Sequence, residues 1–313
     1  MRFLLTLSLT LALLIAATVA IPRIYAEPNV ENAWNGAITA RKLSLAKAIK
    51  KPKIIIVGGS NALFGFSAET IERETGIPTI NMATHQGVGP AYHLLNAERV
   101  TSRGDTILLT FEYASFAPAF DLQPLMLRQA LFFDLQYLFR YPAQTGNVLF
   151  GWSIADMIED NQRERGPASG GYSVGDLTRN GDLNRSPVPA LQEVLDQLHK
   201  TVSAQPAFEL IRPEASIAVD ALRRFMKVAK ARGLRVVFVW PNRVDRPDYQ
   251  TEAYRKYFAD LQSFYESFGI EILGGPFDGI FPAESAWDSS DHANRDWAIK
   301  RSKSIGEILA KQK

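Results

Sequence analysis

The chain contains no cysteine among its 313 residues and only four histidines. No disulfide, thiol nucleophile or thiolate metal site is therefore available, and histidine chemistry is confined to His85, His93, His199 and His292. Those histidines are far apart and lack adjacent ligand partners, so no metal and no cofactor is expected. A net charge of +2 with 22% charged residues gives no field of one sign that would select nucleic acid or an acidic lipid surface. Neither G-x-G-x-x-G nor G-x-x-x-x-G-K-[ST] occurs, which removes the usual signatures of a dinucleotide or P-loop phosphate cradle. No internal repeat or low-complexity tract is visible. The rest, 46% hydrophobic, is the composition of a globular protein long enough for one large α/β domain or two smaller ones.

One long apolar run is present. Arg2 is followed by residues 3–21 without a charge, and small residues lead up to Ala26. The run is longer than the roughly 7–15 apolar residues of a secretory signal core and close to the roughly 20 of a spanning helix. Two readings stand side by side: a signal peptide over residues 1–26, cleaved after Ala26, or an inner-membrane anchor through residues 3–21. Either way Arg2 stays in the cytoplasm by the positive-inside rule. Residues 27–313 are then exported, to a periplasmic or other extracytoplasmic location.

Residues 43–51, LSLAKAIKK, carry apolar residues at helical spacing and are predicted to pack as a helix on the domain. KIIIVGG, residues 53–59, reads as a fully buried strand, an Ile/Val run ended by glycines. A helix over 61–75, a strand in PTINMA (78–83), a helix over 89–102 and a strand in DTILLTFEY (105–113) follow. This alternation predicts right-handed βαβ crossovers and a parallel sheet. Residues 114–212 show no clear buried strand and read as an insertion, with an aromatic helix in LMLRQALFFDLQYLFRYP and a polar loop whose Asn180-Gly181 signals a tight turn. The alternation returns with a helix over 214–231, a strand in LRVVFVWP (234–241), a helix over 249–268, a strand in IEILGG (270–275) and a helix over 294–311. The expected fold is a three-layer α/β/α sandwich over residues 27–313, its sheet mostly parallel and doubly wound, with a large helical and loop insertion.

In an open parallel sheet, ligands bind outside the carboxyl ends of the strands. Ser60 stands at such an end, immediately before a helix. Gly58 and Gly59 permit a sharp turn and close approach of a substrate, and the helix amino terminus supplies unpaired N–H groups. Ser60 fits three uses: a nucleophile, a helix N-cap, or part of a phosphate-binding turn. A nucleophilic serine needs an imidazole to take its proton and a carboxylate to hold that imidazole's tautomer. AWDSSDHANRDWAIK places Asp288, Asp291 and His292 in a polar turn before the last helix. The competing use of this turn is helix capping by Asp291 or Asn294, with His292 in solvent.

GGSN near one end of the chain and DSSDH near the other together resemble the SGNH (GDSL-like) hydrolases, over about residues 53–110 and 234–309. The resemblance implies an α/β/α sandwich acting on acyl esters, with Ser60 as nucleophile, His292 as base, and the N–H groups of Ser60 and Gly87 as oxyanion donors. Three departures are visible. The family's aspartate stands three residues before the histidine, where this chain has Ser289, so a turn one residue longer is needed to bring Asp288 to His292 while Asp291 points elsewhere. The family's G-x-N-D block is replaced by TFEYAS, which puts Glu112 and Tyr113 where the asparagine donor would be. The spacing from Ser60 to Gly65 is also one residue longer than usual. Asn61, His85, Gln86, Glu112, Tyr113 and Arg243 are the further candidates for substrate contact, while Asn81 is expected to satisfy local backbone groups.

The function expected from the resemblance and the export segment is an acyl esterase or O-acyltransferase acting on an acylated cell-envelope glycan or a small ester. A membrane acyl-transfer partner fits that reading, and nucleic acid does not. The missing G-x-N-D block and the insertion favour the alternative, a noncatalytic glycan-binding or polysaccharide-assembly protein of the same fold.

Overall fold

The structure, a computed structural model, describes residues 28–117, 123–141, 173–183 and 216–312, together with isolated positions within 5–23 and 196–213. Most of the apolar run over residues 3–21, Ala26 as the expected cleavage point and much of the 114–212 insertion lie outside the described residues. Among the described residues no helix is long and apolar enough to cross a membrane. The chain falls into two compact units, residues 1–37 with 122–172, and residues 38–121 with 173–313.

In the larger unit, β1 (Ile54–Gly58), β2 (Thr79–Asn81), β3 (Thr106–Thr110), β4 (Arg235–Val239) and β6 (Glu271–Leu273) form one parallel sheet in the order β2-β1-β3-β4-β6. Helices cover it: α3 (Ala68–Thr75) packs with α9 (Arg295–Lys311), and α4 (Gly89–Val100) packs with α7 (Ile217–Arg232). The protein is thus a three-layer α/β/α sandwich. With both faces covered, β1 is buried at every position, which is why its sequence is an unbroken Ile/Val run. Each such side chain contributes roughly 1.5–3 kcal/mol on burial. Ile54 lies beside Thr79 on one side and Thr106 on the other, and Gly58 lies beside Thr110. The strand order reverses at β1, so the crevice outside the carboxyl ends of β1 and β3 is where this topology binds ligands.

Side-chain bonds to backbone account for the differences from the predicted boundaries. β2 stops at Asn81, short of Ala83, because the Asn81 amide donates to Ala62 O and Asp182 Oδ1 while its oxygen accepts Ala83 N–H. The helix predicted over 61–75 is two helices, α2 (Ser60–Gly65) and α3, broken at Phe66 and Ser67. Ser67 Oγ accepts Thr70 N–H, and the Asp182 carboxylate accepts the Ala68 and Glu69 N–H groups. A second amino terminus is therefore better satisfied than a continuous helix would be. Asp182 arrives on the polar loop. There Gly181 adopts φ +75, Asn180 O accepts Asn81 N–H and the Asn180 amide donates to Thr79 O, so the loop covers the edge of β2.

The smaller unit contains the start of α1 (Val30–Ala48), α5 (Pro124–Phe133) and α6 (Leu135–Arg140). The single aromatic helix predicted here is broken at Asp134, which ends α5 and precedes α6. Asn32 ties α1 to α5 through Leu125 O and Gln129 Oε1.

Candidate active site

Gly59, in extended conformation, is the N-cap of α2, and Ser60 is its first helical residue. The N-cap use of Ser60 is therefore corrected: the cap position belongs to Gly59, one residue earlier. The turn is possible because of glycine. A Cβ at Gly58 would come within 2.1 Å of Thr110 O, and one at Gly59 within 2.4 Å of a Glu112 carboxyl oxygen.

The candidate base, His292, arrives on a small hairpin of β8 (Ala286–Ser289) and β9 (His292–Ala293). Ser289 lies opposite His292 in the register, and an irregularity follows Ala286. Asp288 Oδ1 lies 2.5 Å from His292 Nδ1, a length that marks Nδ1–H as donor to a carboxylate. In the neutral tautomer that carries its proton on Nδ1, Nε2 is the acceptor nitrogen. Asp291 is turned away and is bound at 2.6 Å by Arg243, on β5 (Arg243–Val244). The hairpin is seated by Val244 N–H donating to Ser290 O and by Ala286 and Ala293 packing with Val244 and Phe281. Asn294, rather than Asp291, caps α9 by accepting Trp297 N–H.

α2 packs against β9, and the Phe64 ring stacks on the His292 imidazole at 4.3 Å and 22°. Ser60 is four residues before Phe64 and so shares its helix face. Ser60 at the carboxyl edge of β1 thus begins the helix that packs against the strand bearing His292, more than 220 residues later in the sequence. No hydrogen bond joins the Ser60 hydroxyl to His292 among the described residues, as is common in catalytic pairs before substrate binds.

The expected oxyanion arrangement needs correction at Gly87. Its N–H donates to His85 Nδ1 at 2.9 Å, within the turn that opens the short 3-10 helix Gln86–Val88. The N–H of Asn61 is also engaged, by Glu112 Oε1 at 3.0 Å. Ser60 N–H is the remaining donor of the three. The loop bearing His85 and Gln86, both half-buried, is held from below by Lys42, whose ammonium donates to Ala83 O at 2.5 Å. Burial pulls the Lys42 amine down, and nearby Asp182 opposes that. His93 is held neutral by burial, down to about 3, which removes it as a base.

Other sequence candidates turn out to be structural. Asn61 is fully buried and its amide donates to Thr110 O, so it pins the turn and does not face a ligand. Tyr113 is buried against Tyr257 and Phe258, with its phenol pushed up chiefly by burial. Arg243 spends its guanidinium on Asp291. Glu112 is buried as well, and burial raises its carboxyl above the usual range.

Beneath the turn lies a layer centred on Arg301, a residue that sequence reading missed. Asn242 donates to Asn61 O at 3.0 Å and accepts from Arg301, which also donates to Trp240 O. Arg301 is buried with its guanidinium 4.6 Å from the Phe66 ring, and burial lowers its pKa to about 10. Gly65 makes room, since a Cβ there would strike the Asn242 amide. The available signal was Arg301 on the apolar stripe of α9, which includes Ala298, Ile305 and Leu309. Replacing Arg301 by methionine leaves two buried oxygens without a charged donor, so a loss of about 2–4 kcal/mol is expected. Urea unfolding measures it, and an unchanged midpoint would deny this layer a structural role.

No family model matches the chain, and no curated protein matches it. Among solved structures it is similar to the protein YxiM from Bacillus subtilis, with 12% sequence identity and a TM-score of 0.37. The match covers 84% of this chain and 57% of the YxiM chain, so it spans less than two thirds of that structure.

Proposed function

We propose that the protein is an exported SGNH-like serine acyl esterase or O-acyltransferase acting on acylated cell-envelope glycans. The observation that carries this reading is the Asp288–His292 pair, 2.5 Å apart, on a hairpin packed against the helix that Ser60 begins. In the reaction, His292 Nε2 takes the Ser60 hydroxyl proton as Oγ attacks the ester carbonyl. The tetrahedral oxyanion sits at Ser60 N–H. Collapse breaks the bond to the leaving alcohol, which receives the proton from His292, and acyl-Ser60 remains. Water or a sugar hydroxyl, deprotonated by the same imidazole, then takes the acyl group as the acyl–Oγ bond breaks, and the imidazolium returns the proton to Ser60 Oγ. The apolar run over residues 3–21 motivates the envelope substrate.

The second reading, a noncatalytic glycan-binding or assembly protein, is favoured by the closure of Gly87 N–H by His85. One missing oxyanion donor typically costs about 2.7–4 kcal/mol of transition-state stabilisation. Intact-mass analysis after treatment with a serine-reactive fluorophosphonate separates the two. One adduct on the wild-type chain and none on Ser60→Ala is expected. A well-folded wild type that takes no adduct favours the binding protein.

A further inference from the structure

Glu112 follows β3 across the switch point from Ser60, and its environment is unusual for an acid. It is 6% exposed. Its Oε1 accepts Asn61 N–H at 3.0 Å, and its Oε2 lies 3.3 Å from Ser115 Oγ, which donates to it. A Cβ on Gly59 would come within 2.4 and 2.5 Å of the two carboxyl oxygens. The carboxyl therefore lies against the residue before Ser60 and is bonded to the peptide after it.

The titratable groups that face it supply no positive charge. From the β8–β9 turn comes Asp291, whose negative charge adds to the upward shift that burial imposes on Glu112. From α8 (Glu252–Glu266) comes the Tyr265 phenol, itself pushed up by burial and by Glu112. Asp291 in turn binds Arg243. From α2 and from the acid's own turn come only the neutral Asn61 and Ser115.

We propose that Glu112 is the positioning residue of the nucleophile turn, and that its neutral and ionised forms set two different rates of acylation at Ser60. This rests on the reading of Ser60 as the acylated residue. Attack by Ser60 creates a negative oxygen beside the Ser60 peptide. An ionised carboxylate bonded to the neighbouring peptide repels that charge across a short, poorly solvated distance, whereas the neutral acid does not. Burial keeps the neutral form populated above the ordinary carboxylate range. Acylation is therefore faster below the Glu112 pKa and falls as pH rises through it. Stability carries the same sign. The neutral acid's contribution is complete below the unbound value of 4.5 and is lost as pH climbs through the raised folded value.

The test uses the full chain and two readouts. The first is the rate of fluorophosphonate labelling against pH for wild type, Glu112→Gln and Glu112→Ala. Wild type is expected to lose about tenfold in rate on the alkaline side. Glu112→Gln, which keeps an acceptor for Asn61 N–H, retains the faster rate without that decline, and Glu112→Ala is slow at every pH. The second readout is the Asn61 amide proton resonance of wild type, which is expected to shift with the same midpoint as the labelling rate. Identical pH profiles for wild type and Glu112→Gln, or an Asn61 amide that does not move with pH, would overturn the proposal. The amide titration needs no variant, so it decides even where a variant misfolds. Absence of all labelling sinks the Ser60 reading, while the amide titration still reports whether Glu112 governs the turn.

Discussion

On the proposed mechanism, replacing Asp288 by asparagine is expected to slow acylation of Ser60 by roughly 10⁴-fold, and His292→Ala by roughly 10⁶-fold, the losses seen when these roles are removed from known serine hydrolases. The argument is one of tautomer. In the proposed reaction Asp288, 2.5 Å from His292 Nδ1, accepts the Nδ1–H so that Nε2 takes the serine proton, and its negative charge stabilises the imidazolium that forms. An asparagine can present its NH₂ to Nδ1 and drive the proton to Nε2, where it blocks the base. The Asp288 side chain is 45% exposed, so the same change should leave the thermal midpoint almost unmoved. Asp291→Asn is the control. It weakens the clamp from Arg243 without touching the imidazole, and a much smaller rate loss is expected. Labelling rates under pseudo-first-order conditions give all three values. Equal rates for Asp288→Asn and wild type would remove Asp288 from the mechanism, and a larger loss at Asp291 would reassign the role.

How much of this was legible before the structure depended on the range of the forces involved. The β1 strand is readable because two covering layers of helix require Ile54 to Val57 to be apolar without a break. The approach of Asp288 to His292 is readable because it depends on a turn only a few residues long. The closure of Gly87 N–H is equally local, since His85 reaches forward only two residues, yet His-to-backbone capping has no sequence signature of its own. The break at Phe66–Ser67 was hidden for a different reason. Ser67 alone is a weak cap, and the decisive acceptor, Asp182, comes from a loop more than 110 residues later in the sequence. The same holds for Glu112, which reads as a candidate for substrate contact until tertiary packing lays it on Gly59. Local patterning thus revealed where the crevice lies, while the bonds that hold its floor became visible only with the chain folded.

The largest loss of stability is expected at the opposite end of the sheet, from Asp105→Ala. Asp105 is fully buried and its carboxylate accepts three bonds: Lys53 N–H at 3.0 Å, Lys53 Nζ at 2.9 Å and Ser102 N–H at 2.8 Å. These bonds fasten the residue before β1 to the residue before β3, and the parallel register begins one step later with Ile54 beside Thr106. Alanine removes every acceptor at once and leaves a buried ammonium uncompensated, for which the cost is about 3–5 kcal/mol. Asp105→Asn keeps one acceptor oxygen and should cost less. Removing the charge from both sides, with Lys53→Met and Asp105→Leu combined, should recover much of the loss, because two well-packed apolar groups carry no desolvation cost. Urea unfolding of the four proteins tests this order. If the double variant is as unstable as Asp105→Ala, the backbone bonds from Lys53 and Ser102, and not the buried charge, hold β1 and β3 in register. The carboxyl ends of those strands carry Ser60 and Glu112, so a slip at their start would be read directly at the candidate site.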